Sequence, residues 1–574
     1  MAARGAAMDD CVVTRLAGAA EIGLALVLAG CGSSAPLGGE GTAASPTAPA
    51  PSGSAAVAAA PPPRVPLSRT AELAALTMQT PVYARPQRDA TKLGYLRLGA
   101  RTARSEQPVP GSGCRGAWYA VAPRGFVCAG RDTATRDGLD EATVDLAHPL
   151  LRAFARTPEL TRPLPYPYAF VRAASALYLQ VPSKKEQDRF EMGLSKHLAA
   201  WSAHGKEWNH LDSGGANAVP LDEEGVALTA PEAPPPPPPD ASDHDLYGGG
   251  ASDDVPWYLH FTRVAGNKAR FDRDVPNVSP YVAPGYAVLG GRAARHAGLS
   301  LAGTFVAGPE AGGRRFAVTI DGRLAPADKL KPHVASAFHG VRVDGDAVKL
   351  PIAFVTRRGA RAYAETPGRS KWKKGDELTY RSVVALTGRD RMYPTVRYLE
   401  TTDGRWLDIA DVAYVEKPEK LPSEFDATAT KWLDVSIWHQ TMVAYEGATP
   451  VYATLVSTGI DGMDDPRTTK STVRGAFRID SKHVTATMDA DDADNQFELR
   501  DVPWVQFFEQ GYALHAAYWH DDFGRPRSHG CVNLSPIDAH WLFFWTDPDL
   551  PVAWHGVRAG VAGLAPGTWV RVHG

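Results

Sequence analysis

Short runs in which apolar and polar residues alternate, each stopped by glycine or proline, occupy most of this chain. They include "PVYARP", "KLGYLRLGARTA" and "AWYAVAPRGFVCAG" between Leu67 and Thr135, and "GRRFAVTIDGRLAPADKL", "VKLPIAFVTRRGARAYAE", "WKKGDELTYRSVVALTG" and "RWLDIADVAYVE" between Val255 and Glu416. A period of two sends successive side chains to opposite faces, which suits a half-buried strand. Asp321-Gly322 and Asp403-Gly404 are hairpin-type turn signals between such strands. The chain therefore reads as mainly β. At 574 residues it exceeds what one core can hold, and a multidomain layout of roughly three to five units follows. A small β module is expected at 67–135, and a β-rich middle region at 255–420 with a second barrel-like module near Arg357–Glu416.

One stretch departs from this rhythm. In "PSKKEQDRFEMGLSKHLAAW", Ser183 precedes Glu186 by three residues, a capping-box pattern, and Phe190, Leu194 and Leu198 follow at helical spacing. A helical segment near 183–201 is expected within a partly helical region, 136–230. Residues 231–254 carry a proline run and a glycine-rich tail, which reads as an extended insertion or linker. The 67–135 segment resembles bacterial Src-homology-3-like modules, which implies wall or ligand binding beside a plain structural role.

Charge is nearly balanced, 61 Lys+Arg against 64 Asp+Glu, so the chain lacks the basic field of a nucleic-acid binder, and no nucleic acid is expected as partner. The N-terminus contains an apolar run, Ile22 to Leu28, too short to span a bilayer but suited to a signal-peptide core. It leads into Leu28-Ala29-Gly30-Cys31, which resembles the lipobox of bacterial lipoproteins. This resemblance implies a signal peptide at 1–31, lipidation of Cys31, a flexible tether at 32–66 and a membrane contact through the anchor. The expected location is the periplasmic face of an outer membrane, with the outer face of a plasma membrane as the alternative. An exported compartment permits disulfides, and Cys114 and Cys128 in "GCRGAWYAVAPRGFVC" are the natural pair. Cys531 then remains as a free-thiol candidate.

Cys531 stands in "GYALHAAYWHDDFGRPRSHGCVNLSPIDAHWLFFW". A cysteine nucleophile acts as thiolate and needs a base nearby; His515 and His529 are the nearest candidates. Gly530 removes bulk beside the thiol and would let a backbone N–H approach an oxyanion. Ser535 and Pro536 then mark a helix start. Residues 431–574 supply a mainly β unit long enough for one core.

His515, Ser528-His529-Gly530-Cys531, Val532 and Asn533, in that order, closely resemble the signature of the bacterial L,D-transpeptidases, the YkuD-type family; "RGAFRI" and the opening "KWLDVSIWHQTMVAYEG" resemble the family's first strands. The resemblance implies a β-sandwich catalytic domain with short helices and no cofactor. It implies Cys531 as nucleophile on a peptidoglycan tetrapeptide stem, with His515 as base oriented by a carbonyl near Ala516. The N–H groups of Gly530 and Cys531 would form the oxyanion hole, with Ser528 and His529 in support; Asn533 would bind or position substrate, and Tyr518 and Trp519 would line the entrance. The alternatives are a non-catalytic wall-binding lipoprotein and a hydrolytic L,D-carboxypeptidase. A zinc site built from His515, His520, His529 and Cys531 is a further chemical rival, but the resemblance implies none. His520, Asp521 and Asp522 are left without a role.

Overall fold

A computed structural model describes residues 65–130, 141–147, 151, 157–209, 287–332, 335–345, 348–365, 372–416, 430–489 and 498–574. The leader with Cys31, nearly all of the tether and the 231–254 linker lie outside these residues. Among the described residues no helix is long and apolar enough to cross a membrane.

The architecture is mainly β, as the alternation predicts. In the N-terminal module, strands Thr80–Tyr83, Lys92–Leu96, Ala117–Ala120 and Phe126–Ala129 pair antiparallel, and Cys114 is bonded to Cys128 (S–S 1.99 Å). Its core of Leu73, Val82, Leu93, Leu96 and Val127 is completed by Trp554 and Val557 from the far end of the chain. The module is thus not closed on itself. Strand Lys92–Leu96 pairs with Gly556–Arg558, carrying one hydrogen-bonded sheet into the C-terminal unit.

The region expected to be partly helical also contributes strands. Tyr168–Val171 pairs with Gly298–Val306 and Leu330–Pro332, and Ser175–Tyr178 pairs with Leu289–Ala293. The proline-rich stretch is therefore an insertion between strands of one sheet rather than a boundary between two units; strand pairing between distant residues leaves no local trace in the sequence. The capping box at Ser183 and Glu186 starts helix Lys184–Phe190. The expected single helical segment is broken there, and a second helix, Leu194–Asn209, follows Gly193. Glu191, at the end of the first helix, is buried and accepts from Arg314 (2.6 Å), Lys329 (2.9 Å) and Tyr178 (2.7 Å). A buried carboxylate needs that pairing.

Residues 348–416 form a seven-stranded antiparallel sheet with a small core of Ala353, Val355, Ala362, Leu386, Leu399 and Leu407. Its opposite side packs on the C-terminal unit, where Ile352, Phe354 and Val415 meet Trp432, Val443, Leu455 and Phe523.

The C-terminal unit is a sandwich. One sheet contains the hairpin Lys431–Ser436 and Thr441–Glu446, flanked by Thr449–Leu455 and the last strand, Trp569–His573. The other contains Ser481–Asp489, Glu498–Glu509, Tyr512–Ala516 and Val532–Leu534. Leu433, Val435 and Val572 from the first sheet and Val484, Trp504, Leu514 and Val532 from the second share one core with Leu542 and Phe543 of helix Pro536–Trp545. Each fully buried side chain of this size contributes about 1.5–3 kcal/mol. Ser535 caps the helix, accepting the Asp538 N–H at 3.1 Å.

Candidate active site

Strand Tyr512–Ala516 runs parallel to Val532–Leu534, with Leu514 opposite Val532 and His515 opposite Asn533. Cys531 stands immediately before the second strand, at the end of this ladder, and its thiol is the free one among the described cysteines. The fold thus sets His515 and Cys531 on paired, parallel segments joined by a loop. The thiol lies 3.7 Å from the Gly511 carbonyl and does not hydrogen-bond to the imidazole.

His515 is buried, and its Nδ1–H donates to the Ala516 carbonyl (3.3 Å). That bond leaves Nε2 as the acceptor. Burial pushes the imidazole down to about 4 and the Cys531 thiol up to about 11. At neutral pH both groups are uncharged, so the resting pair is thiol and neutral imidazole. Such an imidazole can take a proton from a thiol once substrate approaches.

Ser528 shapes the turn. Its hydroxyl donates to the Cys531 carbonyl (2.5 Å) and accepts the Gly530 N–H (3.1 Å). Sequence reasoning gives the Gly530 N–H to an oxyanion; here Ser528 holds it, because the tight turn folds the serine back on itself. Gly530 is required on other grounds: its φ is +128°, and a Cβ would lie 2.7 Å from Tyr512 Cε1. His529 points to the exposed side of the turn.

Asn533 is buried opposite His515, and its side-chain amide lies 3.0 Å from His520 Nε2. Trp519 is half-buried with its ring centroid 5.6 Å from that of His515. Tyr518 does not line an entrance. It is fully buried, packed on Tyr168 and Phe170 in the turn that follows strand Tyr512–Ala516. The ligands of the zinc alternative are not gathered: among the described residues no group of three or more His, Cys, Asp or Glu side chains is placed to hold a metal ion.

Two residues near the thiol carry no sequence-stated role. Tyr512 covers Gly530 and donates its hydroxyl to the Pro466 carbonyl (3.0 Å). His520 contacts Asn533, and burial pushes it down to about 4. Tyr512 is three residues before His515 and gave no signal; His520 was visible only as one histidine in a charged loop.

Residues 430–572 match the family model of the L,D-transpeptidase catalytic domain, YkuD. The putative L,D-transpeptidase YciB of Bacillus subtilis (strain 168) is 25% identical over 138 residues, 20% of this chain and 59% of the relative. The chain thus spans 59% of the length of that curated relative. Among solved structures, the L,D-transpeptidase (Yku) from Stackebrandtia nassauensis is 25% identical over 28% of this chain and 58% of that one, with a TM-score of 0.18. The catalytic domain of the E. faecium L,D-transpeptidase is 22% identical over 25% of this chain and 98% of that one, with a TM-score of 0.19. On the family match, residues 430–572 are a YkuD-type L,D-transpeptidase catalytic domain.

Proposed function

We propose that this protein is a peptidoglycan L,D-transpeptidase with Cys531 as nucleophile and His515 as base. The observation that carries the reading is the parallel register that sets a buried, neutral His515 beside the turn presenting Cys531, with Nδ1 fixed on Ala516 and Nε2 open. The thiol proton passes to Nε2 as sulfur attacks the carbonyl of the third residue of a tetrapeptide stem. The C–N bond to D-alanine breaks, and the imidazolium returns the proton to the leaving amine. A thioester remains on Cys531. An amine of a second stem then attacks it, His515 takes the amine proton, the C–S bond breaks and the thiol is restored. The Cys531 N–H is assigned to the oxyanion, since Ser528 engages that of Gly530.

The Leu28-Ala29-Gly30-Cys31 motif and the Cys114–Cys128 bond, which oxidising compartments permit, support an exported, lipid-anchored protein.

Intact-mass measurement after carbapenem treatment tests the nucleophile. One adduct is expected on the full chain and none on Cys531→Ala; an adduct on the variant, or none on folded wild type, defeats the assignment. Muropeptides from cells carrying a Cys531→Ala copy should lose 3→3 cross-links. Unchanged cross-links together with loss of tetrapeptide trimming would assign the acyl group to water instead.

A further inference from the structure

The loop joining His515 to Ser528 is fastened from outside the catalytic domain. Arg381, on the 348–416 sheet module, donates through Nη1 to Asp521 Oδ1 (2.6 Å) and through Nη2 to the Asp521 carbonyl. Ser336 also donates to Asp521 Oδ1, and Phe338 stacks on Phe523 with centroids 6.0 Å apart. Arg381 is mostly buried, backed by the Phe338 and Tyr380 rings at 5.1 and 5.0 Å, and holds φ +67°. A non-glycine residue keeps that backbone conformation only where its surroundings enforce it.

The next residue, Asp522, donates its N–H to His520 Nδ1 (3.3 Å). With Nδ1 accepting, the proton of the neutral ring sits on Nε2, and Nε2–H needs an acceptor. The atom 3.0 Å away is Asn533 Nδ2, also a donor, and turning the amide over puts its one acceptor, the oxygen, there instead. The other end of that amide is buried without a hydrogen-bond partner. Once the oxygen faces His520, this remaining end is the NH₂, on the residue opposite His515.

We propose that Arg381 and His520 are positioning residues for acyl transfer: Arg381 holds the Asp521–Asp522 turn, the turn holds His520, and His520 orients Asn533 so that its NH₂ donates to the bound acyl group. The sheet module at 348–416 is thereby a working part of the site. This inference rests on the transpeptidase reading.

The test is the rate at which a carbapenem acylates Cys531 in the purified full chain, followed by intact mass, with thermal unfolding recorded for every variant. Arg381→Ala, His520→Ala and Asn533→Ala are each expected to slow acylation about ten-fold, the worth of one hydrogen bond to the reacting group. The Arg381→Ala/His520→Ala double variant should be no slower than its slower parent, because both act through Asn533. His520→Gln, which keeps an N–H donor, should recover part of the rate; His520→Phe, which keeps the packing on Phe523 (4.9 Å) but has no donor, should not. Wild-type rates in the folded single variants, multiplying losses in the double variant, or equal rates for Gln and Phe would overturn the proposal. If wild type itself is not acylated, the transpeptidase reading fails first, and the wild-type arm shows that separately.

Discussion

Tyr518 lies with its ring centroid 4.3 Å from that of Tyr168, so the chain leaving His515 is packed, three residues later, into a strand far upstream of the catalytic domain. Gly298 sits beneath the same ring, and a Cβ there would be 2.1 Å from Tyr518 Oη. Gly298→Ala is therefore expected to destabilise the protein by about 1–3 kcal/mol, as overpacked cores do. Urea unfolding measures it; an unchanged midpoint would mean that the tyrosine ring can move out at no cost.

A second joint is ionic. Arg97 Nη2 lies 2.6 Å from Asp501 Oδ1, with 8% and 9% of the two side chains exposed. Arg97 belongs to the N-terminal module and Asp501 to the catalytic domain, where Asp501 also accepts from Thr485 (3.0 Å) and from Ser300 of the middle region. Asp501→Ala should cost about 3–5 kcal/mol, because Arg97 remains as a buried unpaired charge. An Arg97→Met/Asp501→Leu pair should lose less. Guanidinium unfolding that ranks the double variant below the single would contradict this account.

In the proposed mechanism His515 accepts the thiol proton and must be neutral, and burial holds it at about 4. Protonation grows as pH falls, so the rate of Cys531 acylation should hold from neutral pH to about 5 and decline through about 4. A decline centred near the ordinary histidine value would show that the imidazole is solvated in the working state.

Stability should carry the same signature. His483, His515 and His520 are each pushed down to about 4 by burial. Their contribution is fully present above the unfolded value near 6.5, where neither state is protonated. Below it the unfolded chain binds protons that the folded chain refuses. Stability is thus lost as pH falls from there to about 4, at up to roughly 1.4 kcal/mol per pH unit for each histidine. A thermal midpoint flat across that window would refute it.

Ser528→Ala removes the bond to the Cys531 carbonyl and frees the Gly530 N–H. Cys531 acylation should slow about ten-fold with the fold intact, one lost hydrogen bond's worth. Gly530→Ala should cost more, since it meets both the positive φ and the Tyr512 ring. Equal rates for Ser528→Ala and wild type would show that the turn holds its shape without the hydroxyl.

Much of this was legible in the chain. The period-two runs of "KWLDVSIWHQTMVAYEG" form paired strands, and Ser535-Pro536 starts the helix after the cysteine. The capping box at Ser183 also forms, because its bonds reach only three residues. What failed were readings that needed distant partners. Tyr518 was placed at an entrance because it follows His515 closely, whereas its surroundings come from Tyr168, Phe170 and Gly298.

The sequence by itself determined the mainly β class and the resemblance of the C-terminal unit to a known family, since alternation, turn residues and the Ser-His-Gly-Cys order are local properties. Only the tertiary structure decided which groups are charged and which modules touch the loop between His515 and Ser528. Burial sets the neutral state of His515 and Cys531. The reach of Arg381 to Asp521 depends on how separate sheets pack. Desolvation and long-range packing are properties of the assembled fold, and no window of residues encodes them alone.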